Sequence, residues 1–162
     1  MKELRQMRDA VIGALREAGL AAEAAFPERR VSKMNGPFAS VSVGAAEGKT
    51  VGFCNYLGEV RGADGSLQEL YGKRLEGVIL VEVRGVHAQD CDSGCEIASC
   101  VLLGGLPGGI QPGELTWEAL CWEKNLQMFR RRGRLSCTAL FTACQKNEGE
   151  FLDFILKGVL SS

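Results

Sequence analysis

The chain has 162 residues, which suits one domain with a sizeable core, and we expect residues 1–162 to form that single domain. Hydrophobic side chains make up 46% of it and charged side chains 24%, a composition that excludes a disordered chain. The formal net charge of −1 excludes long-range attraction to nucleic acid or to an anionic membrane, although a local basic cluster can still act.

The first predicted element is an amphipathic helix from Lys2 to Ala18, which Gly19 can end in the left-handed conformation. Its apolar residues recur at steps of three and four and share one face: Leu4, Met7, Val11, Leu15 and Ala18. Charges interrupt every apolar stretch of this segment, which excludes a signal peptide, and no run approaches the ~18 apolar residues of a membrane span. We therefore expect a cytoplasmic protein whose seven cysteines are reduced and mostly buried.

A strand and a mobile loop are predicted next. Phe38 to Gly44 alternates small or polar residues with apolar ones, which is typical of a half-buried strand. Thr50 to Tyr56 is expected to pair with it across a turn at Glu47-Gly48-Lys49. Gly58 to Ser66 is rich in glycine and charge and predicts the loop.

A central strand and a second helix follow. Leu75 to Val86 predicts a strand whose core is apolar on both faces, which suits a strand covered on both sides or packed in an assembly. The second helix is predicted from Asp90 to Gly105, with Ser93 and Glu96 as a capping box at its start. Its expected inner stripe consists of Ile97, Cys100, Val101 and Gly104.

The last third of the chain is predicted to consist of strands. A loop from Leu106 to Glu114 leads to a strand from Leu115 to Trp122, and Leu135 to Ala143 alternates most clearly of all. A turn at Asn147-Glu148-Gly149 precedes a closing strand from Leu152 to Leu160. The order of helix, strands, helix and strands predicts an α+β fold: a mainly antiparallel sheet, with mixed pairing left open, and two helices packed on one face.

Four arginines in five positions form a local basic patch: Arg130, Arg131, Arg132 and Arg134. Gly133 within the run supplies the backbone freedom of a hairpin tip, so we expect an exposed turn that contributes little to folding. Serine at positions 131 and 132 should then hardly change stability. The patch is a candidate for contacts in an assembly, or for facing DNA in the lumen of a ring.

The candidates for chemistry are few. His87, Cys91 and Cys95 lie four residues apart, and zinc favours thiolate and imidazole ligands, but the spacing lacks the usual two-residue knuckle. The three residues are expected before or at the start of the second helix. They are therefore only weak metal candidates, and we expect no metal and no cofactor. No thiol-hydrolase signature surrounds a cysteine, and paired acidic residues are absent. We therefore expect a protein that is not an enzyme.

The quoted segments also form a familiar set, and they cover most of the chain. They are the opening helix, GFCNYLGE, LYGKRLEGVILVEV, the second helix, the aromatic-bearing strand from Leu115 to Trp122, RLSCTALFTA and FLDFILKGVL. Together they resemble phage tail terminator or tail completion proteins from prophage tail regions. The resemblance implies an α/β fold whose copies form a ring, commonly of six, that caps the tail tube and joins it to the head connector. It implies no catalytic residues, contact with tail-tube and head-connector proteins, and a place in the bacterial cytoplasm and then in the virion tail.

A second class of function stays open. The cysteine-rich segment from Cys91 to Cys100 is not a feature that the resemblance requires. The alternative is a small cytoplasmic thiol or metal-binding protein, or a regulatory binding module. Genes for tail tube, sheath and tape-measure proteins beside this gene would favour the tail protein.

Overall fold

The computed structural model describes residues 2–25, 36–50, 55–145 and 153–159. The described residues form two helices and eight strands. In chain order these are α1 Lys2–Glu17, β1 Ala21–Ala24, β2 Phe38–Thr50, β3 Tyr56–Arg61, β4 Leu67–Gly85, α2 Ala88–Gly104, β5 Ile110–Trp117, β6 Cys121–Glu123, β7 Met128–Gln145 and β8 Ile155–Leu156. Neither described helix is long and apolar enough to cross a membrane.

Two long strands form the middle of the sheet. β4 has 19 residues and β7 has 18, and they pair antiparallel from Glu69 opposite Gln145 to Gly85 opposite Phe129. Along the other edge of β4, β2 and β3 lie end to end, and β5, β6 and β8 share the other edge of β7. β1 pairs with β2 in parallel, so the sheet is mainly antiparallel and mixed. The α+β prediction is confirmed.

One face of this sheet is covered by both helices, as predicted. α1 packs over β1, β2 and β8, and α2 packs over β4, β5 and β7. The side chains of β7 that face the helices are fully or almost fully buried: Leu135, Cys137, Ala139, Phe141 and Ala143. Burying each large apolar side chain contributes roughly 1.5–3 kcal/mol, so this alternation fixes which face of β7 points inward. We call the other side of the sheet, which carries no helix among the described residues, the open face.

β3 and the start of β4 form a hairpin at one end of the sheet. β2 and β3 run out along β4, and the chain turns back at residues 62–66, where the backbone N–H of Ser66 donates to the Asp64 carboxylate at 3.0 Å. The last six residues of β2 are all exposed. We call residues 56–71, which comprise β3, this turn and the start of β4, the arm.

The early strand boundaries differ from those predicted. The expected turn at Glu47-Gly48-Lys49 lies inside β2, which continues in register with β4 to Thr50. Residues 58–61 are strand rather than loop, because they pair with β4. Tyr56 begins a strand that pairs with β4 and not with β2, and residues 51–54 lie outside the described part of the chain. Glycines at these positions are compatible with an edge strand, so their presence alone did not mark a turn.

The start and inner stripe of α2 also differ. The helix begins at Ala88, with His87 as an N-cap that makes no side-chain capping bond, and Ser93 and Glu96 are exposed within the helix. The capping-box prediction is therefore wrong. Val101 faces the core as expected, but Cys100 and Gly104 are exposed. The buried residues of α2 are Cys91, Gly94, Cys95, Ala98, Val101 and Leu102.

The physical reason for that rotation of α2 lies at Gly94. A Cβ atom at Gly94 would come within 2.7 Å of the Val83 side chain and 3.1 Å of Pro37. The glycine therefore lets the helix backbone approach β4 more closely than any other residue would allow. The stripe of α2 that contains Gly94 faces the sheet, while the stripe that contains Cys100 faces outward.

The final strands begin and end at different residues from those expected. β5 starts at Ile110, inside the predicted loop, and accommodates Pro112 because it lies at the edge of the sheet and contains a register shift there. The predicted strand from Leu115 to Trp122 is divided between β5 and β6. Of the predicted closing strand, only Ile155–Leu156 is strand in the described part, and the predicted turn at residues 147–149 lies outside it.

Candidate assembly surface

The four predicted patch arginines lie within β7 and not in a turn. Residues 130–134 pair with β4 along one edge, and they face β5 and β6 along the other. The turn that precedes them is formed by residues 124–127, with Gln127 at a φ of 51°. The predicted exposed hairpin tip is therefore wrong, because the alternation that begins at Leu135 continues backwards through the arginines.

Gly133 has a different role from the one expected. It lies opposite Trp117 of β5, and a Cβ atom there would come within 2.7 Å of the indole ring. The indole N–H of Trp117 in turn donates to Ser99 Oγ of α2 at 2.9 Å. Gly133 thus makes room for a tryptophan that joins β5 to α2.

The strand periodicity divides the arginines between the two faces. Arg131 points to the helix side, where its Nη2 lies 4.0 Å from the Asp92 carboxylate of α2. Its Nε is buried and has no hydrogen-bond partner among the described residues. Arg130, Arg132 and Arg134 alternate with it on the open face.

On the open face, Glu82 holds two arginines together. Arg84, two residues along β4, donates from Nη2 to Glu82 Oε2 at 2.6 Å, and Arg132 of β7 donates from Nε to Oε1 at 2.9 Å. Burial by itself would raise the pKa of Glu82, but the hydrogen bonds from both arginines outweigh it and hold that pKa below its usual range. Glu82 is therefore ionised at neutral pH.

Glu123 of β6 extends this arrangement to a further strand. Arg84 Nε donates to Glu123 Oε2 at 2.8 Å, and Arg130 Nη1 donates to Oε1 at 3.4 Å. Arg84 also donates from Nη1 to Ser40 Oγ of β2 at 3.3 Å. We call Glu82, Arg84, Glu123, Arg130 and Arg132 the charge ladder, which connects three strands through side chains that are largely shielded from water.

The charge ladder carries surplus positive charge. With exposed Arg134, the open face at this end holds four arginines, at positions 84, 130, 132 and 134, against the two glutamates at 82 and 123. Exposed Glu118 lies beside them, because its backbone N–H donates to the Arg132 carbonyl, and it lowers the net charge of this group to +1. The Nε of Arg130 is buried with no hydrogen-bond partner among the described residues. The surface can therefore attract anions, and its glutamates weaken that attraction.

Sequence reasoning found three residues of this surface and missed the rest. Arg130, Arg132 and Arg134 were selected because they lie within five positions of the chain. Glu82, Arg84 and Glu123 are brought to them by strand pairing that no local pattern specifies. The alternation of charged and apolar residues in VEVRG, at positions 81–85, was the available signal, since it places Glu82 and Arg84 on one face.

Exposed apolar side chains lie at both ends of the sheet. Trp122 is 52% exposed and packs edge-on against Phe129, close to the charge ladder, with Leu126 exposed in the neighbouring turn. At the far end, Leu67 of the arm is 65% exposed, and Tyr56 and Leu57 are also exposed. Such residues at opposite ends are features of a surface that other molecules can cover.

The weak metal candidates do not form a site with one another. His87 is exposed at the start of α2, whereas Cys91 and Cys95 are buried one turn apart inside the helix. Among the described residues, no three His, Cys, Asp or Glu side chains are grouped to hold a metal ion. Burial raises the pKa of both thiols, and that of Cys95 to about 12, so neither is a thiolate at neutral pH.

The prediction of mostly buried cysteines is confirmed for part of the set. Cys91, Cys95 and Cys137 are buried, Cys121 is half-buried, and Cys54 lies outside the described residues. Cys100 and Cys144 are exposed, contrary to the expectation. All six described cysteines are free thiols.

A groove of about 630 Å³ lies between α1 and the C-terminal segment. Its wall on α1 is formed partly by small residues, Ala10, Gly13 and Ala14. The one amide in it, Gln6, donates to the Phe154 carbonyl at 2.9 Å and accepts from the Leu156 N–H at 2.8 Å. Gln6 thus holds the C-terminal segment in place.

Comparisons with known proteins do not identify a family for this chain. No protein-family model matches the chain, and no curated protein matches it. One similar solved chain belongs to a structure described as the virion of a native gene transfer agent particle. The two chains share 15% sequence identity at a TM-score of 0.39, over 82% of this chain and 93% of the other. That TM-score is too low for a function to be carried over.

Proposed function

We propose that this protein is a structural subunit of a phage or prophage tail, of the tail terminator or completion type. In this role several copies form a ring at the end of the tail tube, with six as the expected number, and join the tube to the head connector. The protein is made in the bacterial cytoplasm and becomes part of the virion tail. The resemblance of the sequence segments to that class of protein is the starting point.

The open face of the sheet is the observation that best supports this role. Among the described residues, helices cover one face only, while the other carries half-buried Val78, Leu80 and Leu140 together with the charge ladder. An antiparallel sheet can expose one face to water, but a face of this composition is also suited to contact with neighbouring subunits.

The edge of β2 is a second feature suited to assembly. β1 pairs with β2 only as far as Val41, so residues 42–50 have no strand on their outer side within the described chain. An unpaired strand edge is a ready place for another chain to add hydrogen bonds. Head-to-tail contacts between unlike surfaces such as these generate closed rings where the rotation between copies closes.

The arginine-rich part of the open face has two possible neighbours in a ring. It lies either against the next subunit or toward the lumen through which DNA passes, where it makes contacts that do not depend on sequence. The alternative function, a thiol or metal-binding module, is less well supported because Cys91 and Cys95 are buried with raised pKa values.

Deleting the gene from the phage genome that encodes it tests the proposal. Electron microscopy of the induced lysate should show filled heads and tails that fail to join, or tails of irregular length. Supplying the intact gene from a plasmid should restore complete particles, whereas the same plasmid with an early stop codon should not. Normal infectious particles from the deletion strain would exclude this function.

A further inference from the structure

The arm carries a charge opposite to that of the charge ladder. Between residues 56 and 71 there are three acidic residues, Glu59, Asp64 and Glu69, and one basic residue, Arg61, which gives a net charge of −2. Glu59 and Glu69 are exposed and lie directly opposite each other across the β3–β4 pair. Like charges in that position are unfavourable in an isolated sheet, and a cationic partner relieves the repulsion.

The arm cannot neutralise the charge ladder of its own subunit. Glu69 and Glu82 are both on β4, thirteen residues apart, which corresponds to about 40 Å along a strand. The Debye length at physiological salt is only about 8 Å, so attraction over that separation is screened. A contact between these two surfaces therefore requires two copies of the chain.

We propose that the arm of one copy docks on the charge ladder of the next. Exposed Leu67, Tyr56 and Leu57 supply apolar area, and Glu59 and Glu69 face the arginines at positions 130, 132 and 134 of the neighbour. The exposed Trp122 beside the charge ladder offers the neighbouring apolar surface. The contact joins unlike surfaces, so repetition around a ring uses every arm and every charge ladder. This inference rests on the proposed function.

The charges favour a protein partner over DNA at this surface. Three of the seven charged groups at the arginine-rich end are glutamates, and two of them, Glu82 and Glu123, hold Arg84, Arg130 and Arg132 in fixed positions. Affinity for DNA depends on neutralising many phosphates, and a net charge of +1 contributes little to that. The net charges of +1 here and −2 on the arm are opposite in sign, which favours contact between copies.

Photo-crosslinking in purified particles tests the contact. A benzophenone amino acid replaces Leu67, the most exposed large apolar residue of the arm, and the crosslinked peptides are identified by mass spectrometry. The expected product is a dimer of this chain in which residue 67 is joined to a peptide from β5, β6 or β7. A crosslink from residue 67 to another protein, or no dimer, overturns the docking.

Charge reversal supplies the matched variants. Glu59→Lys with Glu69→Lys reverses the arm, and Arg134→Glu with Thr116→Glu reverses the exposed edge of the arginine surface, where residues 116 and 134 are paired. Each pair should lower the dimer crosslink by about tenfold or more, since juxtaposed like charges are strongly unfavourable. All four changes together should restore most of the dimer crosslink, whereas Glu96→Lys at an exposed position of α2 should leave the crosslink unchanged.

The outcomes separate the two proposals. Absence of this chain from purified particles contradicts the proposed function. Presence of the chain in tails with no rescue by the four combined changes contradicts only the docking of the arm. If the Arg134→Glu and Thr116→Glu variant keeps its dimer crosslink but loses packaged DNA, the arginine surface faces DNA and the docking inference is wrong.

Discussion

Along β7, the residues that face the helices and the residues on the open face alternate, yet the two sets meet very different surroundings. The helix-facing set from Leu135 to Ala143 is buried in the core. The open-face set begins with Arg130, Arg132 and Arg134 and continues through Ser136 and Thr138, which are polar and partly or fully exposed. Strand periodicity alone produces this difference, because successive side chains point to opposite sides.

That comparison explains why a run of arginines can lie inside a strand. Four arginines within five positions would repel one another if they were packed on one surface. Alternation sends Arg131 to the helix side and the other three to the open face, where Glu82 and Glu123 pair with two of them. The buried face fixes the register of β7, and the open face is free to carry charged side chains.

The thiols of β7 give the largest expected difference between the two faces. Burial on the helix-facing side raises the pKa of Cys137 to about 11, whereas Cys144 is exposed near the end of the same strand. Relative to the ordinary thiol, that shift lowers the thiolate fraction of Cys137 by about 100-fold at pH 8, and burial blocks access as well. Peptide-resolved iodoacetamide labelling of native protein should modify Cys144 at least that much faster.

Labelling in denaturant is the control for that measurement, and there the two cysteines should react at similar rates. Equal rates in the native protein would mean that the two sides of β7 are equally open to solvent. The comparison between covered and open faces would then be wrong at this strand.

Truncating a leucine on each face sharpens the comparison in terms of stability. Leu135 is fully buried on the helix side, so Leu135→Ala should lower the free energy of unfolding by about 2–5 kcal/mol. Leu140 is half-buried on the open face, and Leu140→Ala should cost only about 1 kcal/mol or less in the isolated chain. Urea unfolding followed by circular dichroism gives both values, and a larger loss for Leu140 would reverse the assignment of the faces.

The elements that depend on local periodicity could be predicted from the sequence, whereas those that depend on pairing with other strands could not. Helix α1 and the strand from Leu135 were predicted well because their periodicity is local and strong. β1 was missed because AAEA has no recognisable strand pattern and pairs only through its parallel neighbour. The length of β4 was underestimated because residues 67–74 mix apolar and charged side chains without a clear alternation and depend on β3 and β7 for their pairing.

The candidate surface was predicted only in part, for a related reason. The arginines at 130, 132 and 134 were found because they lie within five positions of the chain, but their place in a turn was inferred from Gly133. That glycine instead accommodates Trp117 from a different strand. A contact of this kind depends on which strands are neighbours, and the sequence of one segment does not contain that information.

The pH dependence of stability tests the open face through Glu82. Its folded-state pKa is lowered, so the carboxylate contributes stability that is fully present above the unfolded pKa of ~4.3 and is lost as pH falls through the folded value. Glu82→Gln should lower the free energy of unfolding at pH 7 by about 1–2 kcal/mol. The difference from wild type should shrink steadily as the pH is lowered from 5 to 3.

A matched change away from the charge ladder is the control for that profile. Glu96→Gln at an exposed position of α2 should leave the dependence of stability on pH as it is in the wild type. If Glu82→Gln and wild type lose stability in parallel between pH 5 and 3, the carboxylate of Glu82 is not held by Arg84 and Arg132.

The smallest expected effect distinguishes the two neighbours Arg131 and Arg132. The earlier expectation that serine at both positions would hardly change stability assumed an exposed turn, and the strand position requires treating them separately. Arg132 donates to Glu82 at 2.9 Å, so Arg132→Met should cost about 1 kcal/mol by leaving that carboxylate with one arginine.

Arg131 has a buried Nε without a partner in the described chain, and the nearest carboxylate that it pairs with, Asp92, is 4.0 Å from its Nη2. Arg131→Met keeps the apolar stem and removes an unsatisfied donor, so stability should change by about 0.5 kcal/mol or less, in either direction. Parallel urea titrations of the two variants measure the contrast, and a larger loss for Arg131→Met would show that its contact with α2, and not the charge ladder, is the stabilising one.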